Sequence, residues 1–258
     1  MRSALLYIAH RGMNRRALEN TIPAFRLARD HADGVELDVQ LARCGTPVVF
    51  HDDTLEKIFG VPGVIADYTA QELGKLVPCP SDDFAIPYEG WKPSAQERVP
   101  RLEDVLDLFD ADFLVNVEIK APTLKWRTPT TAVARALASR RGNYLVSSFN
   151  PVELARFRGL NRQVPVALLY EPNSSLVLRQ GWPAPVLGLG GLVAIHPNWK
   201  LVSADLVERA HARGWAVNVW TVNDPQRAAW LERDGVDGVI SDAPDTLREP
   251  IREPCPVV

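Results

Sequence analysis

Short apolar runs recur along this 258-residue chain at residues 5–9, 34–40, 48–50, 113–119, 144–149, 164–170, 192–196, 215–222 and 236–241. Several are rich in β-branched residues. Leu114-Val115-Asn116-Val117-Glu118-Ile119 has the composition of a parallel strand covered on both faces. Amphipathic stretches lie between the runs. Leu102, Val105, Leu106 and Phe109 follow an i, i+3, i+4, i+7 spacing, and Ser203 and Gly214 bracket a second helical pattern as N-cap and C-cap residues. A third pattern opens with Thr21 as cap and Pro23 in the first turn, where a missing N–H costs little. Eight βα units in this length predict an α/β fold of the (β/α)8 TIM-barrel type, with residues 48–50 as an accessory strand after the second. A doubly wound open sheet needs a Gly-rich turn opening a helix, whereas Gly188-Leu189-Gly190-Gly191 precedes a strand.

Residues 52–99 break the rhythm, with little periodicity and prolines at 62, 78, 80, 87 and 93. The expected organisation is one barrel domain over 1–258 with a small insertion at 52–99, of a length usual for a lid or subdomain. The tail from Pro244 reads as a last short helix and a frayed end. With 29 basic and 32 acidic residues the formal net charge is -3, so no broad basic face for nucleic acid is expected. No stretch approaches the ~20 apolar residues of a membrane span, and the first nine residues are too short for a signal-peptide apolar region. Cys44, Cys79 and Cys255 are an odd number without a CxxC pair, which predicts reduced thiols and a cytoplasmic location. No feature specifies an oligomeric state.

Polar residues interrupt the runs at one end. Glu36 and Asp38 are two apart near the end of the second run and share a face; Glu118 and Lys120 repeat the spacing in the next. His10 and Arg11 follow the first run and His51 follows Phe50, while His196, Trp220, Asn223 and Asp242 close later ones. In a barrel these strand ends form the catalytic face. Glu36 and Asp38 alternate with Val35, Leu37 and Val39, so both faces of the run look buried. Two buried carboxylates side by side cost several kcal/mol unless a cation or paired bases compensate. A third, Glu118, favours one divalent oxygen-seeking ion, Mg²⁺ or Ca²⁺, over an ion-pair network or zinc. Flanking such an ion, His10 and His51 could act as general acid and base. His31 and His211 read as incidental, and Trp220 by spacing alone is as consistent with core as with a ligand platform. With the ion, Arg11 and Lys120 would leave the site slightly positive, suited to a singly charged phosphodiester.

The chain resembles the glycerophosphodiester phosphodiesterase family. The likeness runs through Ile8-Ala9-His10-Arg11-Gly12, Glu19-Asn20-Thr21, Val35-Glu36-Leu37-Asp38-Val39 and Val49-Phe50-His51-Asp52. It continues in Glu118-Ile119-Lys120, Ser148-Phe149, Val219-Trp220-Thr221-Val222-Asn223 and Gly235-Val236-Asp237-Gly238. The resemblance implies a TIM barrel with an insertion after the second strand. It also implies metal-dependent hydrolysis of small-molecule glycerophosphodiesters to sn-glycerol 3-phosphate and an alcohol. By position it makes His10 and His51 the acid–base pair, Glu36, Asp38 and Glu118 the metal ligands, Arg11 a phosphate contact and Lys120 a substrate-binding lysine. Phe149 and Trp220 correspond to glycerol-pocket positions. Where the family usually continues with Arg-Thr-Thr after His51-Asp52-Asp53-Thr54-Leu55, this chain has Glu56-Lys57-Ile58. An alternative keeps the site but cleaves lysophospholipids in the manner of a lysophospholipase D, using Ile58, Phe59, Val61, Val64 and Ile65 as an apolar membrane-facing surface. A binding-only barrel is disfavoured, because all five of the proposed ligands and acid–base residues are present.

Overall fold

A computed structural model describes residues 4–81, 84, 86–120, 128–175 and 190–248. Nine strands form one sheet: β1 (Leu6–His10), β2 (Gly34–Leu41), β3 (Pro47–Val49), β4 (Leu114–Ile119), β5 (Asn143–Ser148), β6 (Val166–Tyr170), β7 (Leu192–Pro197), β8 (Ala216–Val219) and β9 (Gly238–Ser241). Eight are parallel and close into a barrel, because β1 pairs with β9 on one side and with β2 on the other. The accessory strand β3 runs antiparallel along β2 outside the ring. The fold is a (β/α)8 barrel, and the predicted runs match its strands to within a few residues.

The first helix, Ile22–His31, has Thr21 at its N-cap, but the Thr21 hydroxyl donates to the Leu18 carbonyl instead of capping the helix. Ser203 does cap Ala204–His211, accepting from the Leu206 N–H. The periodic pattern from Leu102 forms a helix only through Leu106, with Arg101 at the N-cap position but no side-chain cap. The tail folds as Pro244–Leu247; the frayed end expected after it, Cys255, and Gly188 and Leu189 of the glycine run lie outside the described residues. The turn from β1 into the first helix depends on Gly12, at φ +80°, because a Cβ there would meet Ala24 at 2.7 Å.

Apolar faces of the outer helices and outward strand residues make one continuous core, with Phe25 fully buried edge-on against Phe109. Inside the barrel, Leu145, Ala167 and Ala194 pack with Leu114 and Ala216. This apolar plug closes the end where the strands begin, so the polar strand ends open at the opposite mouth. The insertion, which lacked periodicity, has a core of its own. Leu55, Ile58, Phe59, Ile65, Leu73 and Trp91 pack with Val48 and Phe50 on the β2–β3 ribbon. Ile58, Phe59 and Ile65 are therefore buried and present no membrane-facing surface, and Val61 and Val64 are only partly exposed. Among the described residues, no helix is long and apolar enough to cross a membrane.

Candidate active site

Strand register gathers the carboxylates. Asp38 on β2 lies opposite Glu118 on β4, and Glu36 lies opposite both His10 and Asn116. Period-2 alternation turns Glu36 and Asp38 to the barrel interior. An oxygen from each of Glu36, Asp38 and Glu118 falls within 4.8 Å of the others, and all three residues are buried. Lys120 Nζ lies 3.0 Å from Asp38 Oδ1 and 2.8 Å from Glu118 Oε1. Arg11 adopts a left-handed backbone conformation, φ 56°, that turns its N–H to Glu36 Oε2 at 3.1 Å. Its guanidinium donates to both oxygens of Glu19, while Nε lies 3.2 Å from Asp38 Oδ2 as an ion pair rather than an aligned hydrogen bond. Asn20 Nδ2 donates to Asp38 Oδ2 at 2.8 Å.

Three buried carboxylates so close cannot all hold charge equally. Burial, then Asp38 and Glu118, push the Glu36 carboxyl well above the usual carboxylate range. Burial also raises Glu118, with Lys120 opposing. For Asp38, burial is outweighed by Lys120, Arg11, His51 and the Asn20 amide, which hold it far below its ordinary value. Burial opposes the charge on Lys120 too, but Asp38 and Glu118 more than offset it and the ammonium is strengthened.

A hard cation fits this set on the structure's own terms. Glu36 Oε1 is buried with no hydrogen-bond partner, beside two more carboxylates. Oxygen-only ligands suit Mg²⁺ or Ca²⁺. Glu19, His51 and Asp52 make a second close group, but Glu19 is committed to Arg11 and Asp52 to His51, which makes it the poorer cation site.

Both predicted histidines line the same cavity, about 240 Å³ in volume, together with Arg11, Glu36, Glu118, Lys120, Phe149 and Trp220; Asp38 is buried and pairs with Arg11 and Lys120 of that lining. Phe149 and Trp220 meet edge to face at 5.5 Å, and the indole N–H of Trp220 donates to the His196 carbonyl. His51 Nδ1 lies 2.8 Å from Asp52 Oδ1, and this contact, more than the opposing burial, lowers the Asp52 carboxyl. Gln40 Nε2 clamps the segment by donating to the carbonyls of Phe50, His51 and Asp52. His10 Nδ1 lies 2.7 Å from Asp242 Oδ1, and its Nε2 is 4.0 Å from Glu36 Oε2. A wider cavity of about 650 Å³ opens beyond His51 toward Gln40, Asp53, Thr54 and Lys57.

All nine predicted site residues thus converge at one barrel mouth. Strand-end position gives no role to Asn20, Glu19 and Gln40, although Glu19 and Asn20 stand inside the Glu19-Asn20-Thr21 motif of the family resemblance. His196 does not reach the cavity: it is fully buried, 3.0 Å from Asn218 Nδ2. His211 pairs with Asp237 at 2.8 Å, away from the site.

The sequence model of the glycerophosphoryl diester phosphodiesterase family matches residues 10–246. A glycerophosphodiester phosphodiesterase of Caldanaerobacter subterraneus is 33% identical over 252 residues, 96% of this chain and 98% of that protein. The crystal structure of a glycerophosphodiester phosphodiesterase from Thermotoga maritima superposes with a TM-score of 0.75 at 25% identity, covering 95% of this chain and 98% of that one. An Oleispira antarctica phosphodiesterase, solved in complex with the product sn-glycerol-3-phosphate, gives 0.77 at 25% identity, covering 93% and 94%.

Proposed function

The chain belongs to the glycerophosphoryl diester phosphodiesterase family, and on that premise we propose that it hydrolyses glycerophosphodiesters to sn-glycerol 3-phosphate and an alcohol with the aid of one divalent cation. The observation that carries the reading is the unpartnered Glu36 Oε1 within three buried carboxylates, under a cavity that His10 and His51 both line. Glu36, Asp38 and Glu118 would hold Mg²⁺ or Ca²⁺, which when bound supplies Lewis-acid stabilisation of the phosphoryl oxygens. Arg11 and Lys120 add fixed positive charge for the same oxygens. Phe149 and Trp220 offer an apolar wall to the glycerol carbons.

The chemistry needs two proton movements. One of His10 and His51 takes the proton of the attacking oxygen as the new P–O bond forms; the attacker is water, or a substrate hydroxyl that gives a cyclic phosphate which water then opens. The other gives a proton to the alkoxide as the old bond breaks. The Asp partner at each Nδ1 leaves Nε2 free for that exchange. In this reading residues 1–258 form one barrel domain whose insertion supplies a rim of the mouth. Cys44 and Cys79 are free thiols, consistent with a reducing, cytoplasmic setting.

The test is glycerol 3-phosphate release from glycerophosphocholine and glycerophosphoethanolamine, after chelation and again after adding back Mg²⁺ or Ca²⁺. His10→Ala and His51→Ala are each expected to lose roughly 10²–10⁴ in kcat. Cation-independent turnover, or near-wild-type kcat in either variant, would remove the mechanism. A lysophospholipid in the same panel tests the alternative substrate, against which the buried positions of Ile58, Phe59 and Ile65 count.

A further inference from the structure

We propose that Asp242 is a positioning residue for His10, fixing the imidazole in the tautomer and rotation that present Nε2 to the cavity, and that only an ionised carboxylate can do this at position 242. The inference rests on the acid–base reading of His10 above.

Asp242 follows β9, the strand that closes the barrel against β1, so its carboxylate reaches His10 across 232 residues of sequence. Three donors converge on its two oxygens. His10 Nδ1 and Asn14 Nδ2 each lie 2.7 Å from Oδ1, and Asn223 Nδ2 lies 2.6 Å from Oδ2. Neither amide can turn over to become an acceptor. Asn223 Oδ1 already accepts from the Asp242 N–H at 2.9 Å and from the Ser241 hydroxyl at 3.1 Å. Asn14 Nδ2 also donates to the His10 carbonyl at 3.0 Å, so a flipped Asn14 would set an oxygen against two acceptors.

The pocket around Asp242 therefore supplies donors to both oxygens, and a carboxylate accepts at every position. A carboxamide would place its NH₂ either against Asn223 or against His10. Because the ionised group only accepts, His10 must donate from Nδ1, and the lone pair of its neutral ring sits on Nε2. That nitrogen is the one on the Glu36 side, at 4.0 Å from Oε2. The same contact keeps Nδ1 protonated when Nε2 carries a second proton, so it serves His10 in either half of the acid–base pair. A reversed tautomer would place hydrogen on Nε2 and remove its capacity to accept.

The 258-residue chain with Mg²⁺ and glycerophosphocholine is used to test this. Asp242→Asn is expected to keep the circular dichroism spectrum, lower kcat roughly 10²–10⁴-fold with KM within about threefold, and move His10 from the Nδ1–H toward the Nε2–H tautomer in ¹⁵N-histidine spectra recorded at alkaline pH. A residue that only braced the fold would change thermal stability and leave kcat and the tautomer alone. The proposal is overturned if His10 keeps the Nδ1–H form in Asp242→Asn, or if kcat stays within about threefold of wild type. Should that variant not fold, Asp242→Ala removes the acceptor itself and is expected to lower kcat and to let the Nε2–H tautomer of His10 appear; wild-type kcat or an unchanged Nδ1–H form there would overturn the proposal, as would an Nε2–H tautomer of His10 in the wild-type protein. His10→Ala turning over normally would defeat the acid–base reading, and the tautomer measured in Asp242→Asn would still decide the positioning claim by itself.

Discussion

Acid destabilisation through His196 can be worked through in numbers. The ring is fully buried at the end of β7, with Nε2 accepting from Asn218 and Nδ1 left without a partner. Burial alone pushes its pKa from 6.5 down to about 3. In the unfolded chain the same ring takes up a proton below pH ~6.5. Between these values the unfolded state binds more protons than the folded one, so stability rises with pH and falls as the solution is acidified. At pH 5 the folded ring is still neutral while the unfolded one is almost fully charged. The free-energy gap is then ~2 kcal/mol, a sizeable part of the ~5–15 kcal/mol available to a typical domain. The assay is urea unfolding at a series of pH values for wild type and for His196→Gln, which keeps an acceptor for Asn218. Other titrating groups are common to both proteins and cancel in the difference. Under pH 6 the wild type should lose ~1.4 kcal/mol per pH unit more than the variant. Parallel curves from pH 7 to 5 would refute the reasoning, since they would mean that His196 takes up its proton in the folded state.

At the carboxylate cluster, cation-free Glu36→Gln should unfold at a higher temperature than wild type at neutral pH. With the Glu36 pKa raised, stability falls as pH rises from the ordinary carboxylate value of 4.5 toward the raised one, and the amide removes that cost. With Mg²⁺ or Ca²⁺ at about 100 times its Kd, wild type should gain ~2.7 kcal/mol and the variant much less; equal gains in thermal melts would exclude Glu36 as a ligand. At the exposed hairpin, the Ala70 N–H and then Thr46 pull the Cys44 thiol down to about 7. Iodoacetamide at neutral pH should therefore alkylate Cys44 ahead of Cys79 in peptide mapping, without loss of phosphodiesterase activity, and equal rates would contradict the assignment.

Local sequence fixed two things well: where the strands are, and which residues stand at their ends. Alternation tells which side of its own strand a residue occupies, and parallel strands joined by helices all end at the same mouth. That is why Glu36, Asp38, Glu118, His10 and His51 can be named from one chain and lie together at one barrel mouth. The partners of those residues were not legible in the same way. Asp242 meets His10 only because β9 closes on β1, and Asn20 meets Asp38 only because the loop after β1 folds back over β2. Burial was equally hidden. Ile58, Phe59 and Ile65 read as potential surface until the insertion collapsed on the β2–β3 ribbon, and His196 read as a strand terminator until the barrel enclosed it. Periodicity is a property of one element, whereas closure, register and solvent exclusion belong to the packed whole; which carboxylate holds a proton and which imidazole nitrogen faces the substrate depend on the latter.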